Sequence, residues 1–566
     1  MKKWVLLLLI AAVTMAYAAD TTKLSPDLQK STAPKAQVVV QYKSAPSPAD
    51  LKLLSSLGEV LNSLPLINAV VANLPLSKAL SLSNQEDVKY ISLDRNLAPT
   101  LSNAAPAVNA FAAWQSGYTG AGVGVALVDS GVSSHPDLNG GLLGLSRVVY
   151  SQSFIPNLGA TDQYGHGTHI AGLIAGNGSS STGSKYSRTF EGIAPQANLI
   201  NLRVLDGTGE GTDSAVIAAI GTAITLKPVY NIRVLNLSLG RAIYETYTLD
   251  PLCQAVEAAW KSGIVVVVAA GNNGRYQPTD GYATITSPGN DPYVITVGVM
   301  KPMGTPTRVD DLIASYSSKG PTAVDAVAKP DIVAPGNLLV SLEAPGSTLY
   351  NNYPGNRVPY SYYVNGGTSV SSSSYFTLSG TSMAAGVVSG VVADVLQKTP
   401  SLTPDQVKAR LMKTAWKALP ASSSVTDPTT GVTYTDQYDV FTVGAGYVDV
   451  EAALSNTDLA TGTAMSPVAM YDTKTGNVYL SDDPTAVWNT TATWSSTNVW
   501  GSSQFVTGAP PSTVNGSNAL WGSNALWGSN ALWGSNALWG SNALWGSNAL
   551  WGSNALWGSN VTEGEK

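Results

Sequence analysis

The sequence predicts an α/β fold in which helices cover both faces of a parallel sheet. Between residues 111 and 454, apolar runs of five to seven residues bounded by glycines alternate with segments of helical apolar spacing. Strands buried on both faces of a parallel sheet have such continuous apolar runs. A small α+β unit precedes this region and a low-complexity repeat follows it. The runs are 123–128, 199–204, 234–239, 264–270 and 294–299.

Composition excludes several classes of protein. The 566 residues carry a formal net charge of −6, and only 12% are charged, so the chain has no basic surface typical of nucleic-acid binding. The one cysteine, Cys253, excludes a disulfide framework, a cysteine-ligated zinc site and an iron–sulfur cluster. We expect Cys253 to be a small buried apolar residue rather than a nucleophile.

The N-terminus predicts a signal peptide over residues 1–18, and therefore a secreted protein. Lys2 and Lys3 precede a short apolar run that ends before the small-x-small sequence 16–18. The alternative is a membrane anchor. About ten apolar residues are too few to cross roughly 30 Å of hydrocarbon, so no transmembrane anchor is expected.

Residues 37–97 have the pattern of a compact α+β module. Strands are predicted at 37–42, 67–72 and 88–91, and helices at 49–64 and 76–83. A unit of about 60 residues is only marginally stable alone, so we expect it to depend on a partner.

The C-terminal region differs from the rest. A Ser/Thr/Trp-containing linker is predicted at 456–515, GSNALW repeats at 516–560 and a polar end at 561–566. An even period places every Trp on one side of an extended strand. The repeats either bind a cell surface, polysaccharide or neighbouring chains, form a short β-helix, or are a tandem expansion without specific function.

The three histidines cluster around a pattern typical of nucleophilic catalysis. His166 lies in 165–169 (GHGTH), a predicted strand ends at Asp129, and Ser382 opens an apolar helix. A serine nucleophile needs a base, and the base needs an anion to orient it. Strand ends and helix starts meet at one edge of a parallel sheet, so these three residues can converge there.

Each residue has a simpler interpretation when it is taken alone. His166 and His169 resemble a metal pair, but no further ligand stands near them in the sequence. Asp129 by itself suits a turn, and Ser382 by itself suits a helix N-cap. The order Asp, His, Ser with flanking glycines favours the catalytic interpretation.

With these motifs, residues 105–455 resemble the subtilases, a family of subtilisin-like serine endopeptidases. The resemblance implies a subtilisin-like catalytic domain with Asp129, His166 and Ser382 as its triad. Segment 265–274 resembles the family's oxyanion segment and makes Asn272 the side-chain donor. It implies hydrolysis of protein or peptide substrates through an acyl-enzyme, with no cofactor required for the chemistry.

Further family landmarks occur in the expected order and imply substrate contacts. One segment resembles the edge strand that pairs with the substrate, a second its partner across the cleft, and a third a pocket wall. These positions are Ser238, Leu239, Gly240, Gly207, Thr208, Gly209, Pro288 and Gly289.

The resemblance also assigns roles outside the triad. Residues 19–104 become a propeptide whose module, 37–97, is an intramolecular inhibitor and folding assistant, so the protein is made as a self-processing zymogen. His135 and His169 are expected to be structural. Asp137 matches a family calcium ligand, so the resemblance leaves open whether the domain binds a structural calcium ion.

Two departures from the family pattern bear on function. Gly386 stands where the family has a proline, which puts the efficiency of Ser382 in question. The alternative function is therefore a catalytically idle scaffold that acts as a binding or surface protein through its Trp repeats. Insert 343–376 either lines the cleft or forms a surface loop, and we expect the surface loop.

Overall fold

The computed structural model describes residues 19–25, 28–29, 31–65, 68–93, 104–140, 144–427, 430–472, 477–489, 493, 498–499 and 565. The chain divides into two compact units, Met1–Ala98 and Pro99–Lys566. The predicted signal peptide and the hexapeptide repeats lie outside the described residues. Within the described ranges, every helix is too short or too polar to cross a membrane.

Among its described residues, the first unit has an antiparallel sheet of four strands in the order β2-β3-β1-β4, together with helices α1 and α2. Val38 and Val40 on β1 are fully buried with Ile91 of β4, as the alternating pattern of a half-buried strand requires. The elements are β1 Lys35–Tyr42, α1 Pro48–Leu57, β2 Glu59–Leu64, β3 Ala69–Pro75, α2 Leu76–Ser81 and β4 Val88–Leu93.

The predicted helix 49–64 is wrong in its second half. A capping box between Ser47 and Asp50 starts α1 as expected, but the helix ends at Leu57 and residues 59–64 form β2. β2 pairs with β3, and a Cβ at Gly58 would lie 2.4 Å from the carbonyl oxygen of Asn73. Pairing with a strand distant in sequence therefore overrides the local helical spacing.

The second unit contains seventeen strands and ten α-helices among its described residues. The strands are β5 Gly124–Asp129, β6 Asn139–Gly140, β7 Leu145–Ser146, β8 Val148–Ser153, β9 Asn198–Arg203, β10 Ile232–Leu237, β11 Val265–Ala269, β12 Ile295–Lys301, β13 Leu312–Ile313, β14 Ile332–Pro335, β15 Leu339–Leu342, β16 Arg357–Pro359, β17 Ser371–Leu378, β18 Ser422–Thr426, β19 Thr433–Gln437, β20 Val468–Asp472 and β21 Asn477–Ser481. The helices are α3 Ala104–Ala107, α4 Ala110–Gln115, α5 His166–Ala175, α6 Asp213–Tyr230, α7 Pro251–Lys261, α8 Thr348–Asn352, α9 Thr381–Lys398, α10 Pro404–Thr414, α11 Val440–Val443 and α12 Val450–Ser455.

The main sheet confirms the predicted parallel architecture. Its order is β13-β12-β11-β10-β5-β9-β8, with β14 also paired to β12, and every pairing except β12–β13 is parallel. Every residue of β5, β11 and β12 is buried, so both faces of the sheet are covered. Helices α5 and α9 pack on each other and on the sheet, and α6 and α7 form a second such pair. Cys253 on α7 is buried, which raises the pKa of its thiol.

The packed unit extends beyond the predicted domain boundary at residue 455. In the segment predicted as a linker, β20 and β21 form a hairpin. Val478, Trp488 and Val499 are buried in one apolar cluster with Met412 and Phe441. Apolar side chains scattered through a polar segment therefore pack into one shared core, which the sequence periodicity did not predict.

Candidate active site

The sheet topology places the predicted triad at one edge. Asp129 is the last residue of β5, and its neighbour β10 ends one residue before Ser238. His166 is the first residue of α5, and Ser382 is the second residue of α9, which packs against α5. The carboxyl ends of parallel strands are where such sheets form their sites.

His166 and Asp129 form a buried hydrogen-bonded pair. The imidazole Nδ1 lies 2.8 Å from the Asp129 Oδ1, and both side chains are nearly inaccessible to water. Burial disfavours the imidazolium, but the charge and hydrogen bond of Asp129 outweigh it, so the pKa of His166 lies above its ordinary value. The arrangement fixes which ring nitrogen carries the proton and leaves Nε2 to act as a base.

The Ser382 hydroxyl donates a hydrogen bond to the carbonyl oxygen of Ser238, at 3.0 Å. In return, the Ser238 hydroxyl donates to the carbonyl oxygen of Ser382, at 2.8 Å. Among the hydrogen bonds of the described residues, Ser382 Oγ has none with His166. Hydrogen bonds of this kind often tighten only when substrate binds.

Asn272 is held by its carbonyl end. Its Oδ1 accepts from the backbone N–H of Thr381, at 3.0 Å, and from the Thr381 hydroxyl, at 3.1 Å. Its Nδ2 makes no hydrogen bond within the described part of the chain. The amide therefore presents unused N–H donors beside the residue that precedes Ser382, as stabilisation of a developing oxyanion requires.

Asp162 is a site residue that sequence reasoning missed. Its Oδ1 accepts from the backbone N–H groups of Tyr164 (3.0 Å) and Gly165 (2.7 Å) and from the Ser130 hydroxyl (2.9 Å). Its Oδ2 accepts from the backbone N–H (2.8 Å) and the hydroxyl (2.7 Å) of Thr168. This buried carboxylate fixes the start of α5, and with it the imidazole of His166. The sequence signal that could have identified Asp162 is its position four residues before the His that begins a helix.

Two predicted substrate segments lie side by side. The backbone N–H of Arg241 donates to the carbonyl of Ser287 at 2.9 Å, and the return bond measures 2.8 Å. This bridge brings the predicted edge strand, 238–240, beside the predicted pocket wall, 287–289. A Cβ at Gly240 would lie 2.4 Å from the Thr286 hydroxyl, so the close approach requires glycine there.

The third predicted segment, 207–209, lies against the residues that lead into α5. Gly209 has a φ of 85°, and a Cβ there would lie 2.7 Å from the ring of Tyr164, two residues before His166. The structure thus places this segment against Tyr164, close in sequence to His166.

The insert 343–376 does not form the free surface loop that we expected. The Thr348 hydroxyl on α8 donates to the carbonyl of Gly207 at 2.5 Å, and the backbone N–H of Leu349 donates to the carbonyl of Tyr164 at 2.9 Å. The insert therefore supports the segment predicted to line the cleft. The backbone N–H and hydroxyl donors of the insert bond to residues far away in the chain, and the sequence alone does not indicate these contacts.

The other two histidines are bound to backbone groups. His169 Nε2 lies 3.1 Å from the carbonyl of Leu339 and 3.2 Å from that of Phe376, and burial lowers the pKa of His169 to about 3. His135 Nδ1 accepts from the backbone N–H of Asp137 at 3.1 Å. These contacts support the expected structural roles.

Asp137, the predicted calcium candidate, accepts hydrogen bonds from protein donors at both carboxylate oxygens. Its Oδ1 accepts from the backbone N–H of Ser180 (2.7 Å) and the hydroxyl of Ser179 (3.0 Å), and its Oδ2 accepts from the hydroxyl of Tyr375 (2.7 Å). Protein donors thus satisfy both oxygens. In the described ranges, no three His, Cys, Asp or Glu side chains are grouped so that they could hold a metal ion. A structural calcium site, with Asp137 as its candidate ligand, stays a prediction.

Gly386 allows α9 to lie close to α5. A Cβ at this position would lie 3.2 Å from Cγ2 of Ile170, a tight contact between the helix that carries Ser382 and the one that carries His166. The residue that departs from the family pattern therefore has a packing role here.

Comparison with known proteins identifies the family. A family model described as the subtilase family matches residues 120–446. Serine protease AprX of Bacillus subtilis (strain 168) is 40% identical over 337 residues, which cover 58% of this chain and 70% of that protein. Subtilisin E of the same strain is 33% identical over 426 residues, 73% of this chain and 93% of that protein. Subtilisin DY of Bacillus licheniformis is 32% identical over 357 residues, 63% of this chain and 99% of that protein. The chain therefore belongs to the subtilase family of serine proteases.

Proposed function

We propose that the protein is a secreted endopeptidase that hydrolyses peptide bonds in proteins through an acyl-enzyme on Ser382. The observation that carries this proposal is the buried hydrogen bond between His166 and Asp129, 2.8 Å long, at the sheet edge where α9 presents Ser382. Membership of the subtilase family supports the same assignment.

In the proposed mechanism, Ser382 Oγ attacks the scissile carbonyl carbon while His166 Nε2 takes the hydroxyl proton. Asp129 holds the imidazole and stabilises its cation. Asn272 Nδ2 and the Ser382 backbone N–H donate to the oxyanion of the tetrahedral intermediate. His166 then gives its proton to the leaving amine, the C–N bond breaks and the acyl-enzyme remains. Water repeats the sequence, with His166 as base, and releases the acid product and free Ser382.

Residues 238–240 and 207–209 are proposed to pair with the extended substrate on opposite sides of the cleft, and 287–289 to form a pocket wall. An extended peptide that adds a strand to an exposed edge gains main-chain hydrogen bonds that do not depend on its sequence. This mode suits a protease that acts on many proteins.

We propose that residues 19–104 are a propeptide. The α+β module of the first unit would assist folding, inhibit the enzyme and be cut from it by Ser382 between about residues 97 and 107. Its small core, centred on β1 and β3, supports a module that depends on its partner. Residues 1–18 would direct export and be removed during that step.

The test is the intact mass of the exported protein in three forms: wild type, Ser382→Ala and, as a matched control, Ser422→Ala, which removes an exposed hydroxyl of the same unit. We expect wild type and the control to lose about the first hundred residues, and Ser382→Ala to keep the 37–97 module. If all three keep the module and wild type does not react with a serine-directed phosphonate, the proposal fails. The idle scaffold that acts through its Trp repeats then becomes the better account.

A further inference from the structure

We propose that the second unit contains a binding site for a carboxylate and that its ligand is Glu565. The site is hydrogen-bonded to the loops next to Ser382 and Asn272. It would hold Glu565 as a latch on the catalytic domain.

The main chain of Glu565 is held by one amide side chain. Asn337 Oδ1 accepts from the backbone N–H of Glu565 at 2.8 Å, and Asn337 Nδ2 donates to its carbonyl oxygen at 2.7 Å. A primary amide that donates and accepts at the same residue imitates the pairing of a neighbouring strand. These two hydrogen bonds therefore fix the backbone position of Glu565.

The carboxylate of Glu565 accepts hydrogen bonds from neutral donors and lies close to positively charged side chains. The backbone N–H of Ser315 donates to Oε2 at 3.0 Å, and the Ser315 hydroxyl donates to Oε1 at 2.7 Å. Arg275 Nη2 lies 3.1 Å from Oε1, and Lys301 Nζ lies 3.7 Å from Oε2. Glu565 is only 5% exposed, so these contacts replace nearly all of its hydration.

The cationic side of the site supports the same conclusion. Lys301 is 5% exposed at the end of β12, and Glu565 is its one acidic partner within 4 Å in the described part of the chain. Arg275 shares its guanidinium with Asp427, whose Oδ2 lies 2.7 Å from Nη1. Without Glu565, a buried lysine would lose its counter-charge, which is costly in a protein interior.

The site is connected by short hydrogen bonds to the loop that carries the nucleophile. On one side of Asn337, the Gly336 carbonyl accepts from the backbone N–H of Gly380 at 2.8 Å. On the other side, the Leu338 N–H donates to the hydroxyl of Ser379 at 2.8 Å. Ser379 and Gly380 lead directly to Ser382.

The oxyanion segment is connected in the same way. Arg275 follows Asn272 by three residues, and the backbone N–H of Gly274 donates to the carbonyl of Tyr316 at 2.9 Å. The Tyr316 hydroxyl donates to Asn337 Oδ1 at 3.0 Å, the same oxygen that receives the Glu565 N–H. Loss of Glu565 is therefore expected to loosen both loops.

The experiment uses the full chain with Ser382→Ala, so that it does not digest itself. Hydrogen exchange of segments 271–276, 313–318 and 336–339 is measured in this background, with Glu565→Gln, and with Glu563→Gln as the matched control. Glu565→Gln keeps the size of the side chain and removes its charge. We expect about tenfold or faster exchange in these segments for Glu565→Gln, and no change for Glu563→Gln.

A second variant tests the contact from its other partner. Lys301→Met keeps the apolar stem of the lysine and removes its charge, and it should accelerate exchange at the backbone N–H of Glu565. Combined with Glu565→Gln, it should add less than the sum of the two single effects. Equal exchange in Glu565→Gln and Glu563→Gln, or fully additive effects of Lys301→Met and Glu565→Gln, would overturn the latch. Neither readout depends on catalysis.

Discussion

Ser382 and Ser238 exchange hydrogen bonds, each hydroxyl donating to the carbonyl oxygen of the other residue, at 3.0 and 2.8 Å. The proposed nucleophile is thereby tied to the strand end that is proposed to bind substrate. Asn236 Nδ2 also donates to the Ser238 hydroxyl, at 2.8 Å. One buried serine thus links β10 to the start of α9.

This link predicts the effect of Ser238→Ala on stability. The change leaves the Asn236 amide and the Ser382 carbonyl without this buried partner, so the free energy of unfolding should fall by about 1–3 kcal/mol. Denaturant unfolding in the Ser382→Ala background measures it, and Ser422→Ala, which removes an exposed hydroxyl, should cost almost nothing. Equal stability of both variants would show that the exchange of hydrogen bonds contributes little.

Asn272→Leu should lower kcat by about 10²–10³-fold with KM nearly unchanged. Its Nδ2 is proposed to donate to an oxyanion that exists only after attack, so its loss affects the transition state more than substrate binding. Steady-state kinetics on a peptide substrate test this. The adjacent Asn273→Ala is the control and should keep kcat within a few fold; a drop confined to KM in Asn272→Leu would contradict the assigned role.

The Asp129–His166 pair sets the acid limb of the pH–activity profile. The proposed base is active only when His166 is neutral, and its pKa lies above the ordinary value. Activity should therefore rise with pH through a pKa above about 6.5. Asp129→Asn removes the anion that stabilises the imidazolium, so the limb should move to lower pH while kcat falls by about 10⁴-fold. A limb that stays in place in this variant would exclude Asp129 as the partner charge.

Asp162→Asn tests a positioning role. An amide nitrogen cannot accept the hydrogen bonds that one carboxylate oxygen of Asp162 now receives, so the start of α5 should shift. We expect kcat to fall by about 10–10²-fold with KM nearly unchanged, since small displacements of a catalytic group are costly. Exposed Glu210→Gln is the control. If kcat is unchanged and only stability falls, Asp162 supports the helix without positioning His166.

His169 predicts a loss of stability in acid. Its pKa is about 3 in the folded protein, well below the unfolded value of about 6.5. The unfolded state therefore binds the proton first, and this stabilisation is present above pH 6.5 and is lost as the pH falls toward 3. In the Ser382→Ala background, His169→Gln should weaken the pH dependence between 6.5 and 4 by up to about 1.4 kcal/mol per pH unit. Parallel stability curves for the two proteins would refute it.

Local sequence signals were sufficient for the parallel sheet, and they predicted the three triad positions. Strands such as β5 and β11 are buried on both faces, so they have continuous apolar runs, and glycines mark the close approaches beside His166 and Ser382. The predictions failed where a distant partner decides the outcome. Residues 59–64 became a strand because β3 pairs with them, and α8 packs on Gly207 through hydrogen bonds that have no sequence pattern.

The sequence by itself therefore determined the fold class, the family and the order of the Asp, His and Ser residues. These depend on periodicity and short motifs, which are local. The tertiary structure alone tied Asp162 to the start of α5, paired Ser238 with Ser382 and surrounded Glu565 with Arg275, Lys301, Ser315 and Asn337. Hydrogen bonds and ion pairs between residues far apart in the chain depend on how the helices and strands pack together, and no local sequence pattern specifies that packing.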